Sequence, residues 1–157
     1  MSVKNSAGYK IAIASDHAGY TLKERLKTDL RENDYEVIDY GTDSDEPVDY
    51  PDFIYPAAKS VAEGKYSLGI VLGGSGNGEA MTANKLKGIR CAVCWDEKSA
   101  RLAKEHNNAN VISLGARMID ERMAINIVNI WLSCNFEGGR HIARIEKLNR
   151  FGEKVRQ

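Results

Sequence analysis

The sequence predicts an α/β fold in which a parallel sheet is covered by helices on both faces. Three observations point there. Five short, nearly unbroken apolar runs recur along the 157 residues, as strands buried on both faces require. Between them lie stretches with apolar residues three and four apart, the period of a helix. The two patterns alternate throughout, so each strand leads through a helical crossover to a parallel neighbour. The length suits one compact domain over residues 1–157, without linker, low-complexity tract or internal repeat.

The elements follow in order. YKIAIAS, from Tyr9 to Ser15, is the first strand. GYTLKERLKTDLREN is a helix with Leu22, Leu26 and Leu30 on one face. EVIDYG is the second strand, and FIYPAAKSVAEG a helix with Pro56 in its first turn or at a kink. SLGIVLGG is the third strand, NGEAMTANK a short helix and GIRCAVCW a buried fourth strand. DEKSARLAKEHN is a helix capped by Asp96. NVISLGA is the fifth strand. IDERMAINIVNIWLSCN is a long helix with Ile125, Val128 and Leu132 inward; Trp131 and Phe136 suit either its core face or an interface. GGRHIARIEKLNRF closes the chain as a helix over about 138–152, with Ile142, Ile145 and Leu148 on one side.

Composition excludes several functions. Hydrophobic residues make up 43% of the chain, enough for a core, and the formal net charge is zero. No bulk charge therefore points to nucleic acid or an acidic membrane. No apolar run approaches the roughly 20 residues that span a bilayer, and the start, MSVKNSAGYK, lacks a signal peptide's apolar centre. The expected location is the cytoplasm. Three cysteines, an odd number, argue against a disulfide framework. Cys91 and Cys94 form a C-x-x-C, but residues three apart on a strand face opposite sides. They read as core residues, and no metal centre is expected.

In open α/β sheets, ligands bind beyond the carboxyl ends of the strands. That rule selects Asp16-His17, Gly41-Thr42, the Gly73–Glu79 loop, Trp95-Asp96 and Gly115–Arg117. Asp16 suits a helix cap or, from its place at the strand's carboxyl end, a proton carrier beside His17. The loop GGSGNGE has four glycines in six residues but neither G-x-G-x-x-G nor a P-loop ending. It suggests a backbone nest for an anion, with Ser75 adding a hydroxyl. Glu79 at its end either complements a helix terminus or acts as a base whose product oxyanion lies in the nest. His106-Asn107-Asn108 suits a helix C-terminal turn as well as a site. Arg140 and Arg144, four apart on one helical face, suit a phosphate, or a solvated basic face near Glu137 and Glu146. All three histidines, His17, His106 and His141, fall in these clusters.

Together IASDHAG, DYP, GGSGNGEAMTANK with GIRCAV, EHNNANVISLGAR and FEGGRHIARI resemble the ribose-5-phosphate isomerase B family, whose relatives include the galactose-6-phosphate isomerase subunits. The motifs occur in matching order from about Ile11 to Ile145. The resemblance implies a Rossmann-like three-layer α/β/α sandwich with a five-stranded parallel sheet. It implies an aldose–ketose isomerase that interconverts D-ribose 5-phosphate and D-ribulose 5-phosphate in the non-oxidative pentose phosphate pathway. It implies no metal or organic cofactor, and a homodimer or tetramer whose sites are shared between subunits. Asp16 and His17 match the family's first-strand pair. His106 matches the histidine that helps open the furanose ring, and Asn107 a ligand contact. Gly74, Ser75, Gly76, Asn77 and Gly78 match the loop whose N–H groups hold the enediolate oxygen. Arg140 and Arg144 match the phosphate binders, Arg117 a further arginine expected from the partner subunit, and Tyr50 a substrate-side tyrosine. Some members carry a catalytic cysteine where this chain has Gly73; others carry a glutamate where it has Glu79, which makes Glu79 the expected base. Two other readings stay open: a six-carbon substrate such as allose or galactose 6-phosphate, and a non-catalytic phosphate-binding module.

Overall fold

A computed structural model describes residues 8–151. The first seven residues, part of the stretch that argues against a signal peptide, lie outside it, as does residue 152 of the expected last helix. The order is β1 (Lys10–Ser15), α1 (Tyr20–Glu32), β2 (Glu36–Asp39), α2 (Tyr50–Ala62), β3 (Leu68–Gly73), α3 (Asn77–Ala83), β4 (Cys91–Val93), α4 (Glu97–Glu105), β5 (Val111–Gly115), α5 (Glu121–Ser133) and α6 (Arg140–Arg150). The five strands form one sheet in the order β2-β1-β3-β5-β4, with every pairing parallel. From β1 the chain runs to β2 on one side and then crosses to β3 on the other, so the carboxyl ends of β1 and β3 flank a crevice.

Alternate strand residues feed two cores. Ile11, Ile13, Ile70, Leu72, Ile112 and Leu114 meet α1, α4 and α5 on one face. Ala12, Ala14, Val71 and Val111 meet α2 and Ala83 of α3 on the other. Cys94 belongs to the first core and Cys91 packs against the second, so the two thiols do face opposite sides of the sheet. Leu22, Leu26 and Leu30 form the buried stripe of α1, beside a fully buried Lys23. The Lys23 ammonium meets Asp39 at 2.6 Å, and Lys27 meets the same carboxylate at 2.6 Å. Burial pushes the Asp39 carboxyl up, but the bonds from both lysines and from the Gly41 N–H hold it below its usual range.

The structure differs from the sequence expectations in four elements. α2 starts at Tyr50, three residues early, with Pro51 in its first turn and Pro56 inside the helix. Pro51 lacks an N–H that the first turn leaves unpaired anyway, so it opens the helix at no cost there. β4 is a half-buried edge strand rather than a buried one. The Asn84 side chain pairs with both the N–H (2.8 Å) and the carbonyl (3.0 Å) of Cys91, as a neighbouring strand would. In α5 the buried stripe is Ala124, Ile127, Val128, Trp131 and Leu132, while Ile125 lies beside it. Trp131 is core, with its indole N–H donating to the Ala109 carbonyl at 3.1 Å. On α6, Ile142 and Leu148 stay exposed.

Candidate functional site

The sheet places the expected residues in two groups, one at each edge. At the carboxyl edge, Asp16 follows β1 and is buried; its carboxylate accepts the Gly19 N–H at 3.1 Å. His17 Nδ1 accepts the Val48 N–H at 3.1 Å, which leaves the ring proton on Nε2. The glycine loop follows β3, and β5 clamps its carbonyls. Gly73 accepts from the Ala116 N–H at 2.8 Å and Gly74 from the Arg117 N–H at 3.0 Å. Gly76 accepts from the buried Ser113 hydroxyl at 2.6 Å. In a planar trans peptide the N–H points opposite to the carbonyl. The clamps therefore aim the N–H groups of Gly74, Ser75 and Asn77 away from β5. Ser75 Oγ takes the last of these at 3.2 Å. Gly76 has φ +84°, a left-handed conformation that side chains disfavour.

Glu79, in the first turn of α3, is 3% exposed. Burial raises its pKa, and the nearby Asp16 raises it further; its own backbone N–H works against both. Its carboxylate lies against Gly73 so closely that a Cβ at that position would overlap it. Tyr50 lies across Gly78, with its hydroxyl 2.8 Å from where a Cβ there would stand. The Arg117 guanidinium sits 3.3 Å from the same point on Gly74.

The second group is at the amino edge, because His106 and Asn107 precede β5 instead of following a strand. His106 is the C-cap of α4. Its ring stacks on His141 of α6, with centroids 4.4 Å apart and planes at 19°. His141 is buried, and burial together with Arg140, His106 and Arg144 holds its pKa below the usual value, against Glu137. A cavity of about 330 Å³ is lined by His106, Asn107, His141, Arg144, Ile145 and Leu148. His106, Glu137 and His141 also bring three metal-type donor atoms within 4.8 Å of one another, a cluster that no sequence spacing reveals. Arg140 and Arg144 both act on the same ring through their charge, and two guanidiniums disfavour a cation there. Cys91 and Cys94 are no better suited to ligation, since burial raises both thiols, Cys94 to about 12.

The match to known proteins covers nearly the whole fold. The family model described as Ribose/Galactose Isomerase matches residues 11–148. The chain belongs to this family. It is 41% identical over 145 residues to ribose-5-phosphate isomerase B of Escherichia coli strain K12, covering 92% of this chain and 97% of that one. It is 43% identical over 147 residues to the Mycobacterium leprae ribose-5-phosphate isomerase B, covering 92% and 91%. Among solved structures, ribose-5-phosphate isomerase B of Clostridium thermocellum superposes with a TM-score of 0.89 at 46% identity, covering 90% of this chain and 96% of that one. The Mycoplasma genitalium enzyme with bound ribulose-5-phosphate gives a TM-score of 0.89 at 42% identity, covering 93% and 97%. The Rossmann-like α/β/α fold is therefore that of the ribose/galactose isomerase family.

Two residues of interest were not singled out by the sequence motifs. Ser113 alternates with the apolar residues of β5 and carries no local signal, yet its hydroxyl fixes the glycine loop. Glu137 looks like a solvated acid until α6 folds back over it. Its proximity to the Gly138-Gly139 reversal was the available hint.

Proposed function

We propose that this member of the ribose/galactose isomerase family interconverts D-ribose 5-phosphate and D-ribulose 5-phosphate, with Glu79 as the base. One observation carries the assignment of the base: a buried carboxylate of raised pKa sits beside a loop whose N–H groups face away from β5. Several relatives are ribose-5-phosphate isomerases B, and one was solved with ribulose-5-phosphate bound. Isomerisation removes a proton beside a carbonyl and returns it to the adjacent carbon through a cis-enediolate. A buried carboxylate is basic enough to shuttle that proton. In the Gly74–Gly78 loop, the N–H groups of Gly74 and Ser75 with the Ser75 hydroxyl stabilise the oxyanion; one such donor is typically worth about 10²–10³-fold in rate. Asp16 and His106 open the ring. Arg140 and Arg144 hold the phosphate, which anchors the reacting carbons from a distance. His17, Tyr50, Asn77, Asn107 and Arg117 complete the contacts. Neither metal nor organic cofactor takes part.

The two groups serve one substrate only if they come from different copies of the chain. Within one chain β5 separates them by five residues, about 13 Å at a strand's rise, with the packed core between. A homodimer that joins the carboxyl edge of one copy to the amino edge of the other completes the site, and a tetramer would repeat it. Relative to Arg140 and Arg144, Arg117 then belongs to the other copy. Among the described residues no helix is long and apolar enough to cross a membrane, which accords with a cytoplasmic enzyme of small metabolites.

Glu79→Gln tests the assignment. It should bind the sugar phosphate and lose about 10²–10⁴-fold in turnover, the range of a general base. Near wild-type turnover would remove Glu79 from the role. The family's name supports a second reading, a six-carbon sugar phosphate, which side-by-side kinetics on ribose and galactose or allose phosphates decide.

A further inference from the structure

His141 and Glu137 have no part in the reaction above, yet both are built into the amino-edge group. The Glu137 N–H donates to the Glu105 carbonyl at 3.0 Å, which fixes it beside the end of α4. Gly138 and Gly139, with φ of +68° and +57°, then reverse the chain so that α6 starts over Glu137. His141 lies one turn on, 6% exposed, with a buried Nε2 that has no hydrogen-bond partner. The Nε2 atoms of both stacked rings face a single oxygen, Glu137 Oε2, at 3.5 Å from His141 and 3.9 Å from His106. The other charged groups acting on His141 are Arg140 and Arg144, and both oppose a proton there; Glu137 is the acid that favours one.

We infer that Glu137, with His141, is a positioning residue that holds His106 and its proton ready for ring opening. The inference rests on the proposed isomerase activity, in which His106 and Asp16 open the ring. His106 is the acid. Its proton passes to the ring oxygen as the bond from C1 to that oxygen breaks and leaves its electron pair there. Asp16 of the other copy is the base. It takes the proton of the C1 hydroxyl, whose bonding pair closes the C1 carbonyl. One proton is given and one is taken.

Ribulose 5-phosphate isolates this step. Its C5 oxygen is esterified, so its C2 ketone cannot close a five-membered ring, and it reacts in the open form. Exchange of its C1 hydrogen with D₂O therefore needs Glu79 but no ring-opening acid. In the full-length protein, Glu137→Gln should lower turnover of ribose 5-phosphate by about 10²-fold and leave C1 exchange within about 2-fold. His106→Asn should show the same split, and Glu137→Asp should recover part of the loss. Equal losses in both assays would make Glu137 merely structural and overturn the inference, as would wild-type isomerisation by Glu137→Gln. Wild-type protein inert in both assays would overturn the isomerase reading and this inference together.

Discussion

Gly73 and Glu79 compete for one volume. A Cβ at Gly73 would overlap the Glu79 carboxylate, so a side chain at 73 and a glutamate at 79 cannot coexist in this geometry. The same clash rationalises why the resemblance offers either a cysteine at the first position or a glutamate at the second. Gly73→Ala should displace the carboxylate and lower turnover by about 10²-fold, as a shift near 1 Å does. In a Glu79→Ala background the added methyl should cost little stability, and melting temperatures of the four proteins would expose that non-additivity. The raised pKa of Glu79 also sets a pH dependence. The folded protein binds the Glu79 proton more tightly than the unfolded chain does. This contribution to stability is present below the ordinary value of 4.5 and is lost as pH rises through the raised one. Glu79→Gln should therefore match wild type in acid and become the more stable protein toward neutral pH, read as urea midpoints across pH. As pH falls through the same window, kcat/KM should fall in wild type because the base takes up its proton.

Strands and most helices were legible because burial on both faces and helical periodicity are local patterns. Leu22, Leu26 and Leu30 alone announce the inward face of α1. Strand order was not legible, since it is decided by which apolar faces pack together. For that reason the sequence placed His106 among the site residues but could not show that it sits at the opposite edge from Glu79. The start of α2 was missed because two prolines compete for the first turn, and Pro51 takes it. The join of α1 to β2 was also hidden: Lys23, a charge in the apolar stripe, is neutralised by Asp39 across the elements. Asp39→Ala leaves that buried ammonium only the Glu24 carboxylate, at 3.2 Å. The expected loss is no more than about 3 kcal/mol, the low end for breaking a buried pair, because Asp39 keeps a quarter of its side chain in water and Glu24 remains beside the lysine. Lys23→Met, which buries no unpaired charge, should cost less, and chemical denaturation of the two variants ranks them.

On the proposed reading, a single chain is an incomplete enzyme. Ile142, Leu148 and Phe151 project from the α6 end at 48%, 52% and 83% exposure, beside the half of the site that lacks Glu79. A second copy would cover that apolar surface and supply the missing base at the same time. Mixing therefore gives a direct consequence. Glu79→Gln and His106→Asn chains, each inactive alone, should regain about a quarter of wild-type turnover when unfolded and refolded together in equal amounts, because half the dimers are mixed and each has one intact site. No recovery would place both groups of one chain in the same site. The central claim is simpler still: proton transfer by Glu79 on a sugar phosphate. Ribose 5-phosphate followed by NMR in D₂O, with wild type and Glu79→Gln in parallel, tests it most directly. The account predicts ribulose 5-phosphate and deuterium at the reacting carbon with wild type, and neither with the variant. Equal conversion by both proteins, or by neither, would contradict it.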